Sequence, residues 1–66
     1  MDITVNGKTQ QVATDITLDQ LLDTLKLDPA RVAVEHNLNV VTRECFAETI
    51  LAEGDTLEIV QFVGGG

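Results

Sequence analysis

The groups on this chain that could do chemistry are few, and the most exposed of them is the chain end. Phe62-Val63 runs into Gly64, Gly65 and Gly66, so the final group in the sequence is an α-carboxylate carried on unbranched residues. Glycine adds nothing to a core and loses the most entropy on ordering, so such a run is expected to stay mobile. Extended, three residues reach roughly 10 Å, enough to carry the carboxylate off the domain and into a narrow site on another protein. Ionised well above its ordinary pKa of about 3.3–3.7, that carboxylate is a poor electrophile and reacts only after activation. Taken alone, the same run also reads as a frayed end or a linker stub.

The remaining reactive side chains are isolated. Cys45 has no second cysteine to pair with, and no Cys/His cluster is present to bind zinc or an iron-sulfur centre. It lies between Glu44 and Phe46, a setting that disfavours the thiolate a persulfide carrier needs. The sequence reads Cys45 as a small buried hydrophobe. His36 has no serine or second histidine to work with and reads as a strand-end residue. Asp19 and Asp23 fall one helical turn apart, as a solvated helix face does. Lys8 and Lys26 have no local context for modification.

Composition narrows the function classes. Sixty-six residues make one domain, 1–66, too small to enclose much of a catalytic cavity, so an enzyme is not expected. Apolar residues make up 44% and charged residues 23%, which suits a compact fold rather than disorder. Eleven acidic residues against four basic ones give a formal charge of −7, which disfavours nucleic acid and suits equally an encounter with a basic protein surface or a merely solvated acidic exterior. Two Phe and no Tyr or Trp leave no stacking platform for bases. No apolar run approaches the ~20 residues needed to span a bilayer, and no signal-like start is present, so no membrane partner is expected and the reducing cytoplasm is the expected compartment.

The elements that must position the tail follow from local pattern. Met1, Ile3 and Val5 alternate with polar residues as a half-buried strand does, and Asn6-Gly7 is a two-residue hairpin signal leading to a more polar return strand over Lys8 to Ala13. Thr17 and Gln20 have capping-box spacing, with Ile16 and Leu21 in the staple positions, so a helix begins at Leu18. Leu18, Leu21, Leu22 and Leu25 make its apolar stripe, and Asp28-Pro29 is expected to close it. Val32 to Glu35 reads as a third strand, His36 to Asn39 as its end and a turn before Val40-Val41. Arg43 to Ala47 reads as a short helical turn, Thr49 to Leu51 as a brief edge strand, and Thr56 to Val63 as a last long strand after a Glu53-Gly54-Asp55 turn. That last strand carries apolar residues on both parities. Val60 and Phe62 are therefore either covered on a second face or exposed beside the tail as a docking patch with Val63.

This order resembles the ubiquitin-like β-grasp fold, an α+β arrangement in which one main helix crosses a mixed sheet of four to five strands. In detail the chain resembles the ThiS family, the sulfur carriers of thiamine biosynthesis. The likeness rests on Val5-Asn6-Gly7-Lys8, Thr17-Leu18-Asp19-Gln20-Leu21-Leu22, Gly54-Asp55 with Leu57-Glu58-Ile59-Val60, and Phe62-Val63-Gly64-Gly65. The family ends on a glycine pair, whereas a third glycine stands here, so the acceptor is Gly66 or, after clipping, Gly65. The resemblance implies that a ThiF-like adenylyltransferase activates the terminal carboxylate with ATP, that a cysteine desulfurase supplies sulfur, and that a ThiG-like thiazole synthase receives it. No cofactor is expected to be held stably by the chain itself. The alternatives are a MoaD-like carrier serving molybdenum cofactor synthesis and a ubiquitin-like or TGS-type interaction module whose tail is incidental.

Overall fold

The computed structural model describes residues 1–63; the expected reactive residues Gly64, Gly65 and Gly66 lie outside the described residues. The elements are β1 (Asp2–Val5), β2 (Lys8–Gln11), α1 (Leu18–Thr24), a 3₁₀ turn at Pro29–Arg31, β3 (Val32–His36), β4 (Asn39–Val41), a second 3₁₀ turn at Arg43–Cys45, and β5 (Thr56–Gln61). They form one five-stranded sheet in the order β2-β1-β5-β3-β4. β5 lies parallel to β1 through Thr4↔Thr56 and Val5↔Leu57, and the other neighbours are antiparallel.

The helix starts where its capping box puts it. The Gln20 N–H donates to Thr17 Oγ1 at 3.2 Å, and the Thr17 N–H donates to Gln20 Oε1 at 3.0 Å. Leu18, Leu21 and Leu22 pack with Ile3, Val5, Val32, Val34, Leu57 and Ile59, so one face of the sheet and one stripe of the helix form the core, closed by Ile16, Phe46 and Leu51. Pro29 does not end the helix. Lys26 adopts φ 60°, its N–H donates to the Asp23 carbonyl and the Leu27 N–H to the Leu22 carbonyl, a Schellman closure completed before Asp28 is reached. Asp28 instead caps the next turn, its Oδ1 accepting from the Ala30 N–H at 2.9 Å.

Two further expectations are corrected. β2 ends at Gln11 rather than Ala13, although the Val12 N–H still bonds the Met1 carbonyl. Thr49 to Leu51 forms a single bridge, Thr17↔Ile50, instead of a strand. The Leu51 N–H donates to the Ile16 carbonyl and the Leu18 N–H to the Thr49 carbonyl. The ladder cannot continue because Leu18 already turns into the helix.

Candidate functional site

β5 is the central strand, and it leads directly in sequence to the glycines. Its alternate residues divide cleanly: Leu57 and Ile59 are buried against the helix, whereas Val60 is 59% exposed on the open face. Phe62 is 54% and Val63 88% exposed. Among the described residues no loop covers Val60 or Phe62, so both are exposed rather than covered on a second face. The Phe62 N–H donates to the Arg31 carbonyl at 2.7 Å, so backbone pairing with the start of β3 persists past Gln61 and fixes the root of the tail.

Beside that root, the open face is apolar and acidic. Val60 pairs with Ala33, and Glu58 stands directly opposite Glu35. Like charges in that position repel across a sheet. Among the described residues neither glutamate joins an ion pair; Arg31 is engaged with Asp28 at 3.7 Å. The arrangement fits a basic, partly apolar protein surface.

Two side-chain clamps that sequence reasoning missed hold β5 in register. Where β1 ends, the Asn6 side chain takes over its pairing: the Ile59 N–H donates to Asn6 Oδ1 at 2.7 Å, and Asn6 Nδ2 donates to the Ile59 carbonyl at 3.0 Å. At the other end, Asp55 is the one buried charged residue among those described. Its Oδ2 accepts from His36 Nε2 at 2.7 Å and from the Ala52 N–H at 2.9 Å, and its Oδ1 from Asn37 Nδ2 at 3.1 Å. Burial by itself pushes the Asp55 carboxyl up, but the bonds from His36, Ala52 and Asn37 outweigh it and hold the group below the ordinary carboxylate value. His36 is thus a strand-end residue with a structural partner. The Gly54-Asp55 step ahead of a strand was the only local signal for that partner.

The other candidates do not converge. Cys45 is exposed, contrary to the buried reading, because the 3₁₀ turn that carries it directs Phe46 into the core instead. Its sulfur accepts only a long contact from Thr42 Oγ1 at 3.5 Å. Asp19 and Asp23 line a shallow depression of about 350 Å³ with Gln20, Thr24, Leu27 and Pro29, both carboxylates facing solvent. Among the described residues no cluster of three or more metal-ligating side chains occurs, and no helix is long and apolar enough to cross a membrane.

A mixed sheet with β5 between β1 and β3, crossed by one helix and leading in sequence to a glycine tail, is a ubiquitin-like β-grasp domain of the carrier type. Within that class, the chain belongs to the ThiS family, whose model matches residues 3–66. It is 38% identical to the sulfur carrier protein ThiS of Bacillus subtilis over 94% of this chain and 96% of that protein. The crystal structure of the thiamine biosynthesis protein ThiS from Geobacter metallireducens is similar over the full length of both chains, with 40% identity and a TM-score of 0.85. A thiazole synthase of Paramagnetospirillum magneticum is 39% identical over all of this chain, which spans a fifth of that protein's length.

Proposed function

We propose that this chain carries sulfur as a thiocarboxylate on its terminal glycine, Gly66 as the sequence stands, and delivers it for formation of the thiazole ring of thiamine. The observation that carries this reading is family membership extending through the glycines, on a domain whose central strand leads into them. The chain is a protein co-substrate and no catalyst of its own, working in the cytoplasm.

The chemistry follows from the carboxylate. A ThiF-like adenylyltransferase transfers AMP from ATP to a terminal oxygen and releases pyrophosphate, giving an acyl adenylate. A persulfide, supplied by a cysteine desulfurase, attacks the acyl carbon through its outer sulfur and expels AMP. Attack by a second thiol on the resulting acyl disulfide then frees the thiocarboxylate and leaves a disulfide behind. Glycine suits each approach, because a Cβ would crowd the acyl carbon. A ThiG-like thiazole synthase takes the sulfur. Val60, Phe62 and Val63 are the docking residues nearest the tail, exposed and apolar as a protein contact requires.

Incubation with ATP, the adenylyltransferase of the same organism and a sulfur source is expected to add roughly 16 Da, oxygen replaced by sulfur, to the C-terminal peptide. A sulfur adduct found on the exposed Cys45 instead, with the tail unmodified, overturns the assignment.

A further inference from the structure

The two hairpins of this sheet solve the same problem with different residues. Asn6-Gly7 joins β1 to β2, and Asn37-Leu38 joins β3 to β4, each a two-residue loop between paired strand ends, Val5↔Lys8 and His36↔Asn39. All four residues have positive φ: 50° and 82° in the first, 49° and 73° in the second, as type I′ turns require. Glycine takes the second position without strain in the first hairpin. In the other the position holds leucine, the one apolar residue at positive φ among those described. Its side chain is 87% exposed, so neither backbone preference nor burial accounts for it.

The tip is also held rigidly. The Asn37 N–H donates to the Thr56 carbonyl at 2.8 Å, the Thr56 N–H donates to Asn37 Oδ1 at 2.9 Å, and Asn37 Nδ2 donates to buried Asp55. A strained, exposed leucine on an immobilised loop is pre-organised for contact. Next along β4, Val40 is 77% exposed and stands opposite Glu35. The strand register makes Val40 a diagonal neighbour of Ala33, and Ala33 the partner of Val60. An apolar diagonal therefore runs from Leu38 through Val40, Ala33 and Val60 to Phe62, with Glu35 and Glu58 beside it.

We infer that Leu38 is a second docking anchor, at the end of the sheet remote from the tail, and that it seats in an apolar pocket of the thiazole synthase, whose basic side chains face Glu35 and Glu58. This rests on the carrier reading above. Two observations select the occupant: the unneutralised glutamate pair on the diagonal calls for a basic surface, and a thiazole synthase polypeptide contains a counterpart of the whole chain. A tail offered to several enzymes cannot by itself distinguish them; an anchor far from it can.

The test uses the full chain, its Leu38→Gly variant and the thiazole synthase of the same organism, with affinity measured by calorimetry. Glycine removes the side chain and relieves the strain, so the thermal midpoint is expected to stay or rise. The dissociation constant for the synthase is expected to increase tenfold or more, the loss of one buried leucine. A double Glu35→Gln, Glu58→Gln variant is expected to bind the synthase more slowly at low salt and to lose that difference at high salt. An unchanged dissociation constant for Leu38→Gly, or a loss seen only with the adenylyltransferase, overturns the inference. Sulfur loading of the tail is read separately by mass, so failure of the carrier chemistry is distinguishable from failure of the anchor.

Discussion

Asn6 offers the sharpest test of how the tail strand is held. Its side chain makes both backbone bonds of Ile59 after β1 has ended, at 2.7 and 3.0 Å across 53 residues of sequence. Asn6→Gly keeps the positive φ of 50° free of strain and removes only the clamp. Two hydrogen bonds lost beside a core residue, with backbone groups left partly unsatisfied, amount to about 2 kcal/mol. Asn6→Ala removes the same bonds and adds about 1 kcal/mol of left-handed strain, so about 3 kcal/mol is expected. A domain of this size is stable by roughly 3–10 kcal/mol, so either loss is a large share of the total. For the glycine variant the midpoint is expected to fall by roughly 8–16 °C. Urea unfolding gives the free energies, and amide exchange locates the effect, with the Ile59 N–H expected to exchange much faster in both variants. A glycine variant as stable as the parent, or Ile59 protection that does not change, refutes the clamp.

Asp55 links stability to acid. Its carboxyl is held below the ordinary 3.8, so its contribution is fully present above that value and disappears as pH falls through the lower folded value. Asp55→Ala is therefore expected to be destabilised by about 2 kcal/mol at pH 7 and by progressively less as pH is lowered below 3.8, with urea midpoints compared along an acid series; a loss that does not shrink anywhere along the series would show that the carboxylate charge plays no part. Phe62→Asp is expected to leave the unfolding free energy within about 0.5 kcal/mol of the parent, since the side chain is half exposed and the backbone bond to Arg31 remains. The same variant is expected to weaken adenylyltransferase binding tenfold or more in a titration, and a large stability loss instead would place Phe62 in the core.

What the sequence disclosed was local. The Thr17–Gln20 capping box, the leucine stripe and the Asn6-Gly7 turn are decided by residues within one or two turns of each other, and each is present in the structure. The helix end was missed because the nearby proline is the louder signal, while the actual stop is a lysine in a left-handed position that lysine takes without any compositional mark. Asn6 was legible as a turn residue but not as the partner of Ile59, and Asp55 was legible as part of a turn but not as the acceptor for His36, because each pairing is created by the sheet order. Cys45 was misread for a related reason: Phe46 beside it takes the inward position, and a 3₁₀ turn too short to show periodicity decides which of the two does so. The exposed parity of β5 was undecidable from pattern alone, since apolar residues occupy both faces.

That ambiguity has a physical origin in the size of the domain. One seven-residue helix can cover one face of five strands, and among the described residues no second layer lies on the other. The other face stays in water, and β5 lies at the middle of both. Its inward residues Leu57 and Ile59 are committed to the core, while Glu58 and Val60, with Phe62 just beyond the strand, are exposed and outside the core. Substitutions along β5 should therefore separate by parity. Ile59→Ala is expected to lose stability as any core truncation does, by about 2–5 kcal/mol, with the folded fraction binding normally. Changes at Val60 or Phe62 are expected to affect binding with the fold intact. The strand that fixes the root of the tail can in this way be rigid on one side and specific on the other, because a pleated strand turns successive side chains to opposite faces.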